Sequence, residues 1–249
     1  MPSSSWDSPP KMLLLSHNAV HVWRASLHVS TPELRAFEDT LAVDERARAE
    51  RFYFQKHREH FIAGRGLLRN ILSRYLDREP DQLRFCYNAY GKPSLTEETG
   101  AEGLCFNLSH SHEMALYALT RGREIGIDIE YFRPDVEAEK LAERFFSPRE
   151  SAVLRALPEQ LRKEGFFNCW TRKEAYIKAE GQGMSIPLST FDVSLTPGEP
   201  AALLRIQNHP QETSRWSLQA LHPEPTYAAA LAVKGHDWEL KCWQWSSEI

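Results

Sequence analysis

The run Gly126-Ile127-Asp128-Ile129-Glu130 sets two carboxylates two residues apart in a β-favouring stretch. On a strand such residues share a face, so Asp128 and Glu130 point together while Ile127 and Ile129 point into the core. Carboxylates that close repel, and each raises the other's pKa unless a cation or basic group intervenes. Hard oxygen ligands of this kind suit magnesium. The same spacing also belongs to a solvated edge strand closing a hairpin, and the strand alone leaves both readings open.

Further along, Trp170, Glu174 and Lys178 stand four apart in Trp170-Thr171-Arg172-Lys173-Glu174-Ala175-Tyr176-Ile177-Lys178, one stripe of a helix. A Glu with a Lys four residues on is also the ordinary surface pair, worth roughly 0.2 to 0.5 kcal/mol. Phe166, Phe167 and Trp170 on the same helix imply that much of it is buried, and a buried Glu needs a lysine or a metal as partner. The loop Ser109-His110-Ser111-His112 offers hydroxyls and imidazoles to a phosphate, or forms a hydrogen-bonded hairpin turn; zinc would lack its other ligands there. Tyr90-Gly91-Lys92-Pro93 and the basic run Arg46, Arg48, Arg51, Lys56, His57, Arg58 could place cations beside an anion, although most such charges are simply solvated. GxxxxGK[ST], GxGxxG and GxSxG are all missing, which removes P-loop, dinucleotide-fold and hydrolase-elbow readings.

These residues need elements to position them. Val20 to Val29 reads as a strand ending at Ser30-Thr31-Pro32, followed by helical spacing over Pro32 to Leu41, Asp44 to Phe54 and Phe61 to Leu76. Leu83 to Tyr87 is a short strand. Leu104 to Ser109 and Met114 to Thr120 form a hairpin whose loop presents Ser109 to His112. Ile125 to Glu130 is a strand, Ala138 to Arg144 and Pro148 to Ala156 are helices with Ser147 placed to cap the second, and Phe166 to Glu180 is a helix stopped by Gly181-Gln182-Gly183. Phe191 to Leu195, Ala202 to Ile206, Trp216 to Leu221, Tyr227 to Val233 and Leu240 to Trp245 read as antiparallel strands.

The order predicts two α+β halves of similar size, residues 13–122 and 123–249, with a hinge near 122 and a flexible lead over residues 1–12. The tetrapeptide Ala-Glu-Arg-Phe recurs at 49–52 and 142–145, too short to establish a repeat. The 249 residues, 42% hydrophobic and 26% charged, suffice for a sizeable core. A net charge of -4 argues against a general nucleic-acid binder. Met12 to Leu15 is too short for a signal-peptide core, and no stretch approaches a membrane span. Cys86, Cys105, Cys169 and Cys242 are scattered, which fits a reducing cytoplasm better than a disulfide or zinc framework.

Taken together, Tyr90-Gly91-Lys92-Pro93, Phe106-Asn107-Leu108-Ser109-His110-Ser111, Gly126 to Glu130, Arg144-Phe145-Phe146-Ser147 and Trp170 to Gly183 resemble the surfactin-type (Sfp-like) 4'-phosphopantetheinyl transferases in order and spacing. The resemblance runs from about Glu45 to Phe191. It implies a pseudo-dimeric α+β fold of two similar halves with antiparallel sheets, binding coenzyme A in the cleft between them. It further implies Mg²⁺ on Asp128, Glu130 and Glu174, with Mn²⁺ accepting the same ligands, and transfer of phosphopantetheine to a serine of an apo acyl, polyketide or peptidyl carrier protein with release of adenosine 3',5'-bisphosphate. By resemblance Glu174, or a water on the metal, is the base, and Lys178 stabilises the leaving group.

Arg48, Lys92, Pro93, Ser109, His110, Asp128 and Lys178 match the family's coenzyme A contacts. Glu45 stands where close relatives carry a lysine, so the 3'-phosphate grip must differ, with Lys56 or Arg51 as substitutes. Met184, Ile186 and Leu188 lie where relatives approach the carrier protein, or else pack the helix onto the next strand. A pseudo-dimer encloses its own cleft, which predicts a monomer. Two other classes compete, a non-catalytic module binding coenzyme A or carrier proteins and a magnesium-dependent nucleotide hydrolase.

Overall fold

In the computed structural model, residues 5–99, 101 and 103–247 are described, Met184 by its backbone alone. The first half comprises β1 (Ala19–Ser26), α1 (Thr31–Thr40), α2 (Val43–Ala49), α3 (Gln55–Ser73), β2 (Phe85–Tyr87), β3 (Pro93–Leu95), β4 (Leu104–Ser111) and β5 (Met114–Arg121). The second comprises β6 (Ile125–Tyr131), α4 (Ala138–Phe145), α5 (Pro148–Ala156), α6 (Glu159–Glu180), β7 (Phe191–Val193), β8 (Leu203–Ile206), β9 (Trp216–Leu221), β10 (Tyr227–Lys234) and β11 (Glu239–Gln244). Ser147 caps α5 through a reciprocal box with Glu150, as its position before Pro148 predicts, and Ser30 does the same for α1 with Glu33.

Two sheets carry the fold, one ordered β11-β1-β5-β4 and the other β6-β10-β9. They stack face to face. Val20, Val22, Leu116 and Ala118 of the first meet Ile127, Ile129, Leu231 and Val233 of the second in one buried cluster. The outer face of the first sheet is covered by α3 through Leu67, Leu68, Ile71 and Leu72, packed with Trp23 and Tyr117. The outer face of the second is covered by α6, whose Phe166, Phe167, Ala175 and Ile177 pack with Ala228, Ala230 and Ala232. Ile127 and Ile129 therefore face the partner sheet, and the alternate residues Asp128 and Glu130 face the other way, toward α6.

The contact between β6 and α6 is unusually close because Gly126 has no side chain. A Cβ there would collide with the backbone of Ala175 and Ala179. Gly181 then ends α6 with φ 75°, a left-handed conformation that glycine adopts without steric cost.

Several expectations shift. The helix expected over 44–54 stops at Ala49, and α3 and α6 begin at Gln55 and Glu159, earlier than their apolar periodicity, because their first turns are polar and exposed. The lead over residues 1–12 is partly outside the described residues, at 1–4. From Trp6 it is tied down rather than flexible: the indole donates to His222 O at 3.0 Å, and Asp7 bridges to β11 by Asp7 N to Cys242 O at 3.1 Å and Gln244 N to Asp7 O at 2.9 Å. The last strand, second-half by sequence order, pairs in parallel with β1 of the first. Parallel strands need a long crossover, and here everything from residue 27 to residue 238 lies between the two. Among the described residues, no helix is long and apolar enough to cross a membrane.

Candidate active site

The cleft lies where the edge strands β4 and β6 meet under α6. Asp128, 3% exposed, accepts from Lys178 Nζ at 2.6 Å and from Ser109 Oγ at 2.9 Å through the same oxygen, Oδ1. Lys178 Nζ also donates to Ser109 Oγ at 2.9 Å. The other oxygen, Asp128 Oδ2, is buried with no hydrogen-bond partner among the described residues, an arrangement that costs free energy unless something else satisfies it. Glu130 accepts from Ser111 Oγ at 2.9 Å.

Three carboxylates thus share the neighbourhood of one ammonium. The excess negative charge is felt most by Glu174, whose carboxyl is pushed up to about 7 by burial and then by Asp128, with Lys178 opposing. Glu130 is raised as well, by burial first and Asp128 second. The donor set suits a hard divalent cation: three carboxylates, one with an oxygen buried and unsatisfied, against Lys178 and, at Glu130, Arg133 as the opposing positive charges. Among the described residues, no three His, Cys, Asp or Glu side chains already stand close enough to hold a metal. Lys178 pairs with Asp128 at 2.6 Å.

A pocket of about 640 Å³ opens beside this cluster, lined by Arg48, Phe52, Lys56, His57, His60, Phe61 and His110 to His112. The Arg48 guanidinium lies over the Phe61 ring at 5.2 Å. His110 is held below the usual imidazole range by burial and then by Lys178. Arg48 and His110, both singled out in the sequence, come together here, and Lys56, His57 and His60 join them. The basic run signalled the first two of these; His60 carried no signal beyond its helical spacing from Lys56.

Other expected contacts fall elsewhere. Lys92 turns inward, donating to Ile125 O and Ala179 O at 3.0 Å each, and burial lowers its pKa. It ties β6 to α6 and does not line the pocket, while Pro93 pairs with Tyr87 in the small β2-β3 ribbon. Glu45 is 3% exposed and bonded to Arg65 at 3.0 Å and Arg69 at 2.6 Å, so this position anchors α2 to α3. Arg51 does not line the pocket. Leu188 is buried and Ile186 packs on the second-half core, as in the packing reading of that stretch. The side chain of Met184 lies outside the described residues. Ser111 and Asn107 fall within the Phe106 to Ser111 motif and Lys173 within the Trp170 to Lys178 motif, but the sequence assigns no separate role to Asn107 or Lys173 and offers Ser111 only as a phosphate contact. Glu150 carries no signal of its own beyond its place three residues after Ser147.

A family profile described as the 4'-phosphopantetheinyl transferase superfamily matches residues 124–232. A second, described as 4'-phosphopantetheinyl transferase, N-terminal, matches residues 23–121. The 4'-phosphopantetheinyl transferase HetI of Nostoc sp. is 47% identical over 237 residues, covering 95% of this chain and 96% of the relative. The 4'-phosphopantetheinyl transferase Sfp of Bacillus subtilis is 34% identical over 167 residues, 67% of this chain and 72% of its own. The 4'-phosphopantetheinyl transferase psf-1 of Bacillus pumilus is 31% identical over 204 residues, 81% and 82% of the two chains. With a relative matched at that identity over nearly its whole length, the chain belongs to the 4'-phosphopantetheinyl transferase family.

Proposed function

We propose that the cleft binds coenzyme A and, with Mg²⁺, passes its phosphopantetheine arm to the serine hydroxyl of an apo acyl, polyketide or peptidyl carrier protein, releasing adenosine 3',5'-bisphosphate. The observation that carries this reading is the unbalanced cluster: Asp128, Glu130 and Glu174 around the one ammonium of Lys178, with Asp128 Oδ2 buried and unsatisfied. Asp128, Glu130 and Glu174 are the residues that would hold the metal. Bound there, it would supply positive charge to the pyrophosphate oxygens.

The chain's own groups then have separate tasks. Arg48 and His110, facing one pocket, take the phosphorylated adenosine end, assisted by Lys56. Ser109 holds Asp128 and Lys178 in register. A serine hydroxyl is a weak nucleophile until a base takes its proton. Glu174, one turn before Lys178 on α6, is placed to take that proton. As the serine oxygen bonds to the β-phosphorus, the bond from that phosphorus to the bridging oxygen breaks, and the electron pair leaves on the adenosine bisphosphate. Lys178, one turn from Glu174, donates to that developing oxyanion. Lys92 serves the site indirectly, by fixing β6 against α6. Four free cysteines fit a reducing cytoplasm, and a single chain supplying every named group fits a monomer.

Intact-mass spectrometry of apo carrier proteins incubated with the enzyme, coenzyme A and Mg²⁺ tests the reading. The expected result is a gain of one phosphopantetheine that EDTA abolishes. No gain on fatty-acid, polyketide or peptide carriers would overturn it.

A further inference from the structure

β4 and β6 are edge strands of different sheets, and side chains join them. Asn107, Ser109 and Ser111 alternate along β4 and so share one face. In the β4-β5 register they lie beside Ala118, Leu116 and Met114, on the face turned toward the second sheet. Asn107 Oδ1 accepts from Ile127 N at 2.9 Å, Ser109 Oγ donates to Asp128 Oδ1 at 2.9 Å, and Ser111 Oγ donates to Glu130 Oε2 at 2.9 Å. The three rungs do what a backbone ladder would do between paired strands, and two of them end on carboxylates.

We infer that Ser111 is a positioning residue that aims the Glu130 carboxylate into the cleft; this rests on the metal reading proposed above. The backbone N–H of Tyr131 donates to Ser111 Oγ at 3.1 Å. With that N–H on its acceptor side, the hydroxyl directs its single proton to Glu130 Oε2. One carboxylate oxygen, Oε2, is thereby fixed. The next residue, His112, stacks its ring on Tyr131 with centroids 4.7 Å apart, which holds the two backbones together around this hydrogen bond. Glu130 and its hydroxyl partner are thus locked from both ends of the same two-residue stretch. An outer hydroxyl of this kind orders a flexible glutamate before any cation arrives, and loss of such a group commonly weakens metal binding by about 10- to 100-fold.

The test is direct metal binding to the full-length chain with coenzyme A and no carrier protein, read as loss of the free Mn²⁺ signal in electron paramagnetic resonance. Ser111→Ala should weaken Mn²⁺ by about tenfold, and Ser111→Thr, which keeps the hydroxyl, should stay close to the parent. Ser111→Cys keeps the volume without a strong donor and should follow Ala, which covers the case of an unfolded Ala variant. Thermal melts without metal should superimpose for all that fold. Mn²⁺ bound as tightly by Ser111→Ala as by the parent, or weakened equally by Ala and Thr, would overturn the inference. A parent that binds no more Mn²⁺ than Asp128→Ala would overturn the metal reading itself.

Discussion

Two lysines of α6 meet carboxylates, and their surroundings differ. Lys173 is completely buried, with Nζ at 2.8 Å from Glu150 Oε2, 2.6 Å from Leu188 O and 2.5 Å from Phe191 O. Glu150 is equally occupied, accepting from Ser147 N at 2.9 Å and Val193 N at 2.8 Å. That clasp is neutral and saturated, and it holds α5, α6 and β7 together. Lys178 is 27% exposed and pairs with Asp128, but Glu130 and Glu174 crowd the same space and Asp128 Oδ2 has no partner among the described residues. Burial of charge is common to both regions and marks neither as functional. What separates them is the balance: one region closes its charges on themselves, and the other leaves negative charge over for a ligand.

Substitutions can break this contrast. The largest effect is expected from Asp128→Ala: a fall in kcat/KM of about a thousandfold, or ~4 kcal/mol of transition-state stabilisation, with a urea midpoint near the parent's. If stability fell instead and the folded fraction kept its activity, the cleft would be a second structural clasp. Lys173→Met should behave the opposite way. Leaving Glu150 buried without its cation should cost about 3–5 kcal/mol in urea unfolding, with kcat/KM of the folded fraction little changed. Activity lost at unchanged stability would move Lys173 into the site.

The smallest effect is expected from pH. The folded-state pKa of Glu174, about 7 against an ordinary 4.5, means that the folded protein binds more protons than the unfolded chain between those values. Its contribution to stability therefore falls as pH rises through that window. In metal-free buffer the melting temperature of Glu174→Gln, set against the parent's, should gain a few degrees from pH 4.5 to 7. Parallel curves would mean that the carboxylates do not strain one another.

The stripe Trp170-Glu174-Lys178 and the alternation at Asp128 and Glu130 were legible because helix and strand periods fix which side chains share a face. The β-hairpin of β4 and β5 and the cap at Ser147 were legible for the same local reasons. Other features were not. Lys92 looked like an anion contact in a Gly-Pro turn, and only the approach of β6 to α6 turns its ammonium onto Ile125 O and Ala179 O. Glu45 looked like a lost phosphate contact and is the partner of Arg65 and Arg69. The tethering of Asp7 to β11 joins residues at opposite ends of the chain, which local patterns do not register.

Residue type and period alone fix the α+β class and the shared faces of β6 and α6. The family follows from the resemblance of the motifs in order and spacing, and the grouping of Asp128, Glu130 and Glu174 with Lys178 is what that resemblance implies. Tertiary structure decided which buried charges are saturated. It also decided which strand completes which sheet, and that Ser109 and Ser111 meet Asp128 and Glu130. The physical reason is that hydrogen bonding and desolvation act at about 3 Å, between atoms that the chain brings together only when two separate edge strands stack beneath one helix.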